Sequence, residues 1–194
     1  MFFDLIYNDP LFFSLAFLIG LFAGIIKGVV GFAMPMILLS GLSSFMTAEI
    51  ALAALILPTL VTNFKQAFSP RGPTIITSLK RFRLFLIVGG VFLIISSQLT
   101  PYLPSQIFMG ILGILIFTFS LFQILGMKFP LKESNNKITF GLASLNGLIG
   151  GISGIWGPLT VTYLTALNLG KEEQIKVQGI VYGLGSILLL LGHI

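Results

Sequence analysis

Gly24-Ile25-Ile26-Lys27-Gly28-Val29-Val30-Gly31-Phe32-Ala33-Met34-Pro35 is the stretch on which the reading of this chain turns. It sets one lysine among glycines and apolar residues and closes on a proline. Its flanks are just as apolar, since residues 10 to 26 and 28 to 48 carry no charge. Over all 194 residues, 56% are hydrophobic and 9% charged, against roughly 25% charged in a soluble domain. Mean hydropathy is +1.04. That apolar content exceeds what one compact core of this length could hide from water, so lipid is the solvent.

The other charge-free intervals are 50 to 64, 84 to 127, 138 to 170 and 177 to 194. A bilayer needs roughly 20 apolar residues per helix. The 44-residue interval at 84 to 127 would make a helix of about 66 Å, twice the hydrocarbon thickness. It must therefore hold two helices, parted at Thr100-Pro101-Tyr102-Leu103-Pro104-Ser105, where each proline removes a backbone donor and disfavours helix in the residue before it. The expected fold is all-α: a polytopic transmembrane bundle of about six spans, near 12 to 34, 47 to 64, 84 to 100, 105 to 127, 138 to 163 and 174 to 193.

Basic residues set the expected orientation. Lys65, Arg71, Lys80, Arg81 and Arg83 occupy the loop 65 to 83, and Lys128, Lys132 and Lys137 the loop 128 to 137, so these two loops hold eight of the 11 basic residues. Two spans separate them, which puts them on one side, and the positive-inside rule makes that side cytoplasmic. The same count places the N-terminus there, in the inner (plasma) membrane. Asp4 and Asp9 stand where a signal peptide would carry basic residues. Membrane orientation accounts for the net charge of +5, and no nucleic-acid partner is expected.

Shifting the chain by 123 residues aligns Phe17 with Phe140, Gly24 with Gly147, Gly28 with Gly151, Gly31 with Gly154, Pro35 with Pro158 and Glu49 with Glu172, without a gap. Such spacing marks an internal repeat. Residues 1–127 form a first four-span copy and 128–194 a partial second copy of two spans, within one membrane domain. An even number of spans precedes the second copy, so the copies are expected to run parallel, about an axis along the bilayer normal. His193 corresponds to Pro70. The partners of spans 84 to 100 and 105 to 127 are thus missing. Either the chain is a C-terminal truncation of an eight-span protein, or a second copy or another membrane subunit supplies the packing surface.

The repeated glycines share one helix face and would admit another backbone closely, which packing alone explains. The proline that follows each time adds a break inside a hydrophobic run. Broken helices at matching places in two repeats point to a transport site, and a half-helix N-terminus favours an anion. The expected substrate-binding residues are Lys27, Gly28, Gly31, Pro35, Gly151, Gly154, Trp156, Gly157, Pro158 and Gln178. Lys27 falls within a span, so its ammonium needs a counter-charge, a cavity or a bound anion, unless it snorkels to an interface. Glu49 and Glu172 start the second helix of each copy, either as first-turn acids complementing the helix dipole or as coupling residues. Asn63, Gln66, Asn146, Thr160, Thr162, Tyr163 and Tyr182 are further polar candidates. Gln178 and Tyr182 share a face one turn apart.

With 0 cysteines and 1 histidine, His193, thiolate metal sites, disulfides and cysteine nucleophiles are excluded. No buried histidine, aspartate pair or metal cluster exists to perform acid–base or nucleophilic work, so an enzyme is not expected. Nor is a cofactor expected. Gly24 to Phe32 with Pro35, and Gly150-Gly151-Ile152-Ser153-Gly154-Ile155-Trp156-Gly157-Pro158, resemble the two glycine-rich signatures of the sulfite exporter TauE/SafE family. The resemblance covers essentially the whole chain. The commoner family version carries three glycines after the first motif, where Ala33 and Met34 stand here. The resemblance implies about eight spans in two homologous halves, and transport of sulfite, sulfonates or related small organic anions. The partners are then the lipid bilayer and a small anionic solute. The alternative is a non-transporting scaffold or assembly subunit.

Overall fold

The computed structural model describes residues 10–125 and 135–192. Among them are nine α-helices: α1 (Pro10–Val30), α2 (Met34–Leu42), α3 (Ala48–Ala67), α4 (Ile75–Arg81), α5 (Arg83–Ser97), α6 (Ser105–Ile124), α7 (Asn136–Ser153), α8 (Gly157–Ala166) and α9 (Lys171–Gly192). A 3-10 turn, Thr100–Tyr102, carries the prolines that part α5 from α6. Four segments have the length and apolarity of a span: Leu11–Val30, Ile50–Ala67, Arg83–Tyr102 and Lys171–Leu191. The chain is an all-helical, multi-pass membrane protein.

The spans expected at 47 to 64, 84 to 100, 105 to 127 and 174 to 193 fall on α3, α5, α6 and α9. Those containing the glycine–proline stretches behave otherwise. Residues 138 to 163 are not one span, because the chain reverses after Ser153 and α8 runs back along α7. Thr160 bonds Asn146 at 3.4 Å, and the Thr139 and Tyr163 hydroxyls meet at 3.1 Å. The first stretch does the same. A methyl on Gly41 of α2 would strike Ile19 of α1, and Phe45 packs edge-on against Phe12 with ring centroids 5.4 Å apart. Residues 31 to 46 therefore retrace the whole length of α1. α3 then runs parallel to α1, bringing Gln66 Nε2 to within 3.1 Å of the Gly31 carbonyl.

α9 crosses this first triplet in the opposite sense. Lys176 Nζ donates to Ser69 O at 2.8 Å, Gln66 Nε2 to Ile175 O at 2.8 Å, and Asn63 Nδ2 to Ser186 Oγ at 3.2 Å, so residue numbers fall along α3 as they rise along α9. Since α9 also runs parallel to α7, the α1–α2–α3 and α7–α8–α9 triplets are antiparallel. The parallel arrangement expected from the span count is thereby corrected: each glycine–proline break is a full reversal, which adds one pass before the second triplet. The same pass puts the residue-10 end of α1 opposite the loop after α3, where counting spans had put both on one side.

Basic residues segregate strongly in this arrangement. Of the described ones, Lys65, Arg71, Lys80, Arg81, Arg83, Lys137, Lys171 and Lys176 lie at the end formed by the α3–α4 loop and the start of α9. Arg81 pairs there with Glu173. Lys128 and Lys132 lie outside the described residues. α5 and α7 run side by side at close range: Ser96 Oγ donates to Gly147 O at 3.2 Å and Thr100 Oγ1 to Gly151 O at 3.3 Å. A methyl on Gly147 or Gly151 would collide with the α5 backbone, which is the use of small residues that lipid-embedded helices make. At the basic end the Phe85 ring stacks on Tyr163 at 4.7 Å.

Candidate functional site

α1 ends because Gly31 adopts φ 87° and Ala33 φ 73°. The first suits glycine; the second costs an alanine about 1–2 kcal/mol. Pro35 then sits in the first turn of α2, where its fixed φ fits and its missing N–H is no loss. The matching positions of the later triplet repeat the device, with Gly154 at φ 67° closing α7 and Pro158 in the first turn of α8. Both breaks open on one cavity. Lys27, Phe32, Ala33, Pro35, Met36 and Asn63 line it from one side, and Ile155, Trp156, Gly157 and Tyr182 from the other.

Lys27 lies in the last turn of α1 and is only 6% exposed. The expected span 12 to 34 would have left it inside a helix, but the left-handed residues stop α1 at Val30, short of Pro35. A cation suits a helix C-terminus. Its ammonium donates to Thr62 Oγ1 at 2.7 Å and to Asn63 Oδ1. The Thr62 hydroxyl donates onward to Pro58 O at 2.7 Å, leaving its lone pairs for the lysine. Asn63 donates to Ser186, and Ser186 to Tyr182 O at 2.8 Å. The Tyr182 hydroxyl in turn donates to Gly157 O at 3.2 Å. One polar chain thus ties the two triplets together halfway along the 22-residue α9.

Positive charge leads at the cavity, although the carboxyl ends of α1 and α7 also lie beside it. α2 and α8 both begin at it, and first-turn amides have no acceptor within their own helix, so each helix end brings about half a positive charge. Lys27 adds a full one. Among the described side chains no carboxylate pairs with it. An ammonium has three donors, and Thr62 and Asn63 take two, which leaves one for the cavity. Trp156, 3% exposed, closes the far wall, its ring held between Gly150 and Gly185, where added methyls would stand 3.0 Å and 3.2 Å from it.

The structure gathers some of the expected residues here and disperses others. Lys27, Pro35, Trp156 and Gly157 border the cavity, and Gly31, Gly154 and Pro158 shape its walls from behind. Gly28 faces outward, with none of the described residues within 4 Å of an added methyl. Gly151 serves the α5–α7 contact instead. Gln178 is buried one turn along α9 from Tyr182, beside Gly31, and its Oε1 has no hydrogen-bond partner among the described residues. Glu172 is exposed in the first turn of α9. Glu49 begins α3, fourteen residues from Asn63 and so about 21 Å from it along the axis; its side chain lies outside the described residues. Sequence reading passed over Thr62. Its signal was the polar face that Thr59, Thr62 and Asn63 make on α3.

No curated protein and no solved structure matches the chain. The family model described as Sulfite exporter TauE/SafE matches residues 16–194, and the chain, with both of its glycine–proline reversals inside that match, belongs to the TauE/SafE family.

Proposed function

We propose that the chain is a secondary transporter of a small anion, such as sulfite, a sulfonate or another organic anion, and that the cavity at Lys27 is where the anion is held. One observation carries this reading: two half-helix N-termini and a buried ammonium converge on a single cavity between the two triplets. A cation so placed costs about 3 kcal/mol in a membrane helix unless something answers its charge, and a bound anion does so. The matching breaks, with Gly31 and Gly154 both left-handed, support a duplicated unit. Its opposite orientation is the inverted repeat on which alternating access is built. The end rich in Lys and Arg is assigned to the cytoplasm of the inner membrane. The residue-10 end of α1 then faces outward.

Purified protein in liposomes should admit sulfite or methanesulfonate faster than empty vesicles do, and Lys27→Ala should abolish the difference while the protein still elutes as a single folded species. Equal rates with and without protein, together with a co-purifying membrane subunit, would favour the assembly-subunit reading. Undiminished uptake by Lys27→Ala would remove the lysine from the site.

A further inference from the structure

We propose that Lys27 is also the proton carrier of the transport cycle, so that one proton crosses with each monovalent anion; this rests on the anion site proposed above. The ammonium is 6% exposed and its protein partners, Thr62 and Asn63, are both neutral. When the cavity is empty, nothing offsets the charge except the two acceptors and the carboxyl end of α1. Two events restore neutrality. An anion binds, or the ammonium releases its proton to water and becomes an amine that keeps the same two neighbours. The loaded state therefore holds proton and anion together and the returning state holds neither. Each favours the other's binding by the same factor, as linkage requires.

Among the described residues, no other group facing Lys27 is placed to take this role. α1 contributes no further charge at the cavity and α2 none over its length. On α3, Lys65 is exposed one turn toward the basic end, and Glu49 begins the helix at its far end. α8 brings Tyr163, which is engaged with Thr139. On α9, Tyr182 shares the cavity but donates to Gly157 O, Lys176 is tied to Ser69 O, and Glu172 and Glu173 sit in the first turn.

The test uses the full chain in liposomes with a pH dye inside and methanesulfonate outside, an anion that keeps a single charge throughout. Wild-type protein should acidify the lumen by one proton per anion taken up, with no net current. Its apparent affinity, read as methanesulfonate-dependent thermal stabilisation, should weaken up to ten-fold per pH unit once the amine form predominates. Lys27→Arg, always charged, should keep that stabilisation at every pH and lose at least ten-fold in proton flux. Uptake carrying one negative charge and no proton in the wild type overturns the coupling while leaving the anion site standing; so does proton flux retained by Lys27→Arg. Absence of any methanesulfonate stabilisation in the wild type overturns the anion site, and the coupling with it.

Discussion

Gly28 and Gly151 occupy equivalent places in the repeat, yet methyl groups added to them should have opposite effects. At Gly151 the new carbon would overlap Ser96 Oγ and Leu93 O, and stand 2.9 Å from Ser97 N. α5 would have to retreat by about 1 Å, at a cost of roughly 1–3 kcal/mol for overpacking. The retreat also stretches the Ser96–Gly147 and Thr100–Gly151 hydrogen bonds, each worth about 1 kcal/mol. A loss near 3 kcal/mol corresponds to a fall in Tm of about 6–12 °C for a chain of this size. At Gly28 none of the described residues lies within 4 Å of the new carbon, and the gain in helix propensity, up to about 1 kcal/mol, should leave Tm unchanged or raise it by a few degrees. Thermal unfolding of Gly28→Ala and Gly151→Ala in detergent, followed by the size-exclusion peak, measures both. If Gly28→Ala loses as much as Gly151→Ala, the outer face of α1 is not bare. If Gly151→Ala is harmless, the close α5–α7 approach is wrong.

Ala33→Gly should relieve the left-handed strain and stabilise the protein by about 1 kcal/mol, seen as a higher Tm; a loss of stability would mean that the Ala33 methyl is needed at the cavity wall. Trp156→Ala empties the space between Gly150 and Gly185 and should cost about 3–5 kcal/mol, measured in the same melt. Because the chain has 0 cysteines, single introduced cysteines report topology cleanly. Pro10→Cys and Thr47→Cys should react with an impermeant maleimide from one face of the membrane and Arg71→Cys from the other; labelling of Pro10→Cys from the Arg71 side would restore the arrangement in which residue 10 and the first basic loop share a face.

Charge spacing made α3, α5, α6 and α9 legible because a membrane helix must be long and uncharged, and both properties are local. The reversals were not legible in the same way. α2 has 9 residues and α8 has 10, about half the length a span requires, and each joins its predecessor in one unbroken apolar run. Hydropathy cannot tell a kink from a turn back. The direction of the chain after Gly31 is set by two left-handed residues, one of them Ala33, which nothing in its side chain announces. From that single reversal follow the miscounted passes, the parallel copies and the misplaced residue-10 end. Lys27 and Trp156, which line the cavity, were readable as candidates because a charge and a large amphipathic ring stood beside breaks. Gly28 and Gly151 were not separable, since what packs on a glycine is decided by another helix.

Two triplets of one plan and opposite orientation can trade shapes. On the proposed function, an exchange of shape between the α1–α2 and α7–α8 hairpins would present the cavity to the other face of the membrane, but the close α5–α7 packing has no counterpart on α1, where Gly28 is exposed. Lys27 spoils the equivalence in a second respect. Its place in the second copy is taken by Gly150, so the single charge always travels with the same hairpin, and the journeys toward the two faces are not mirror images of one another.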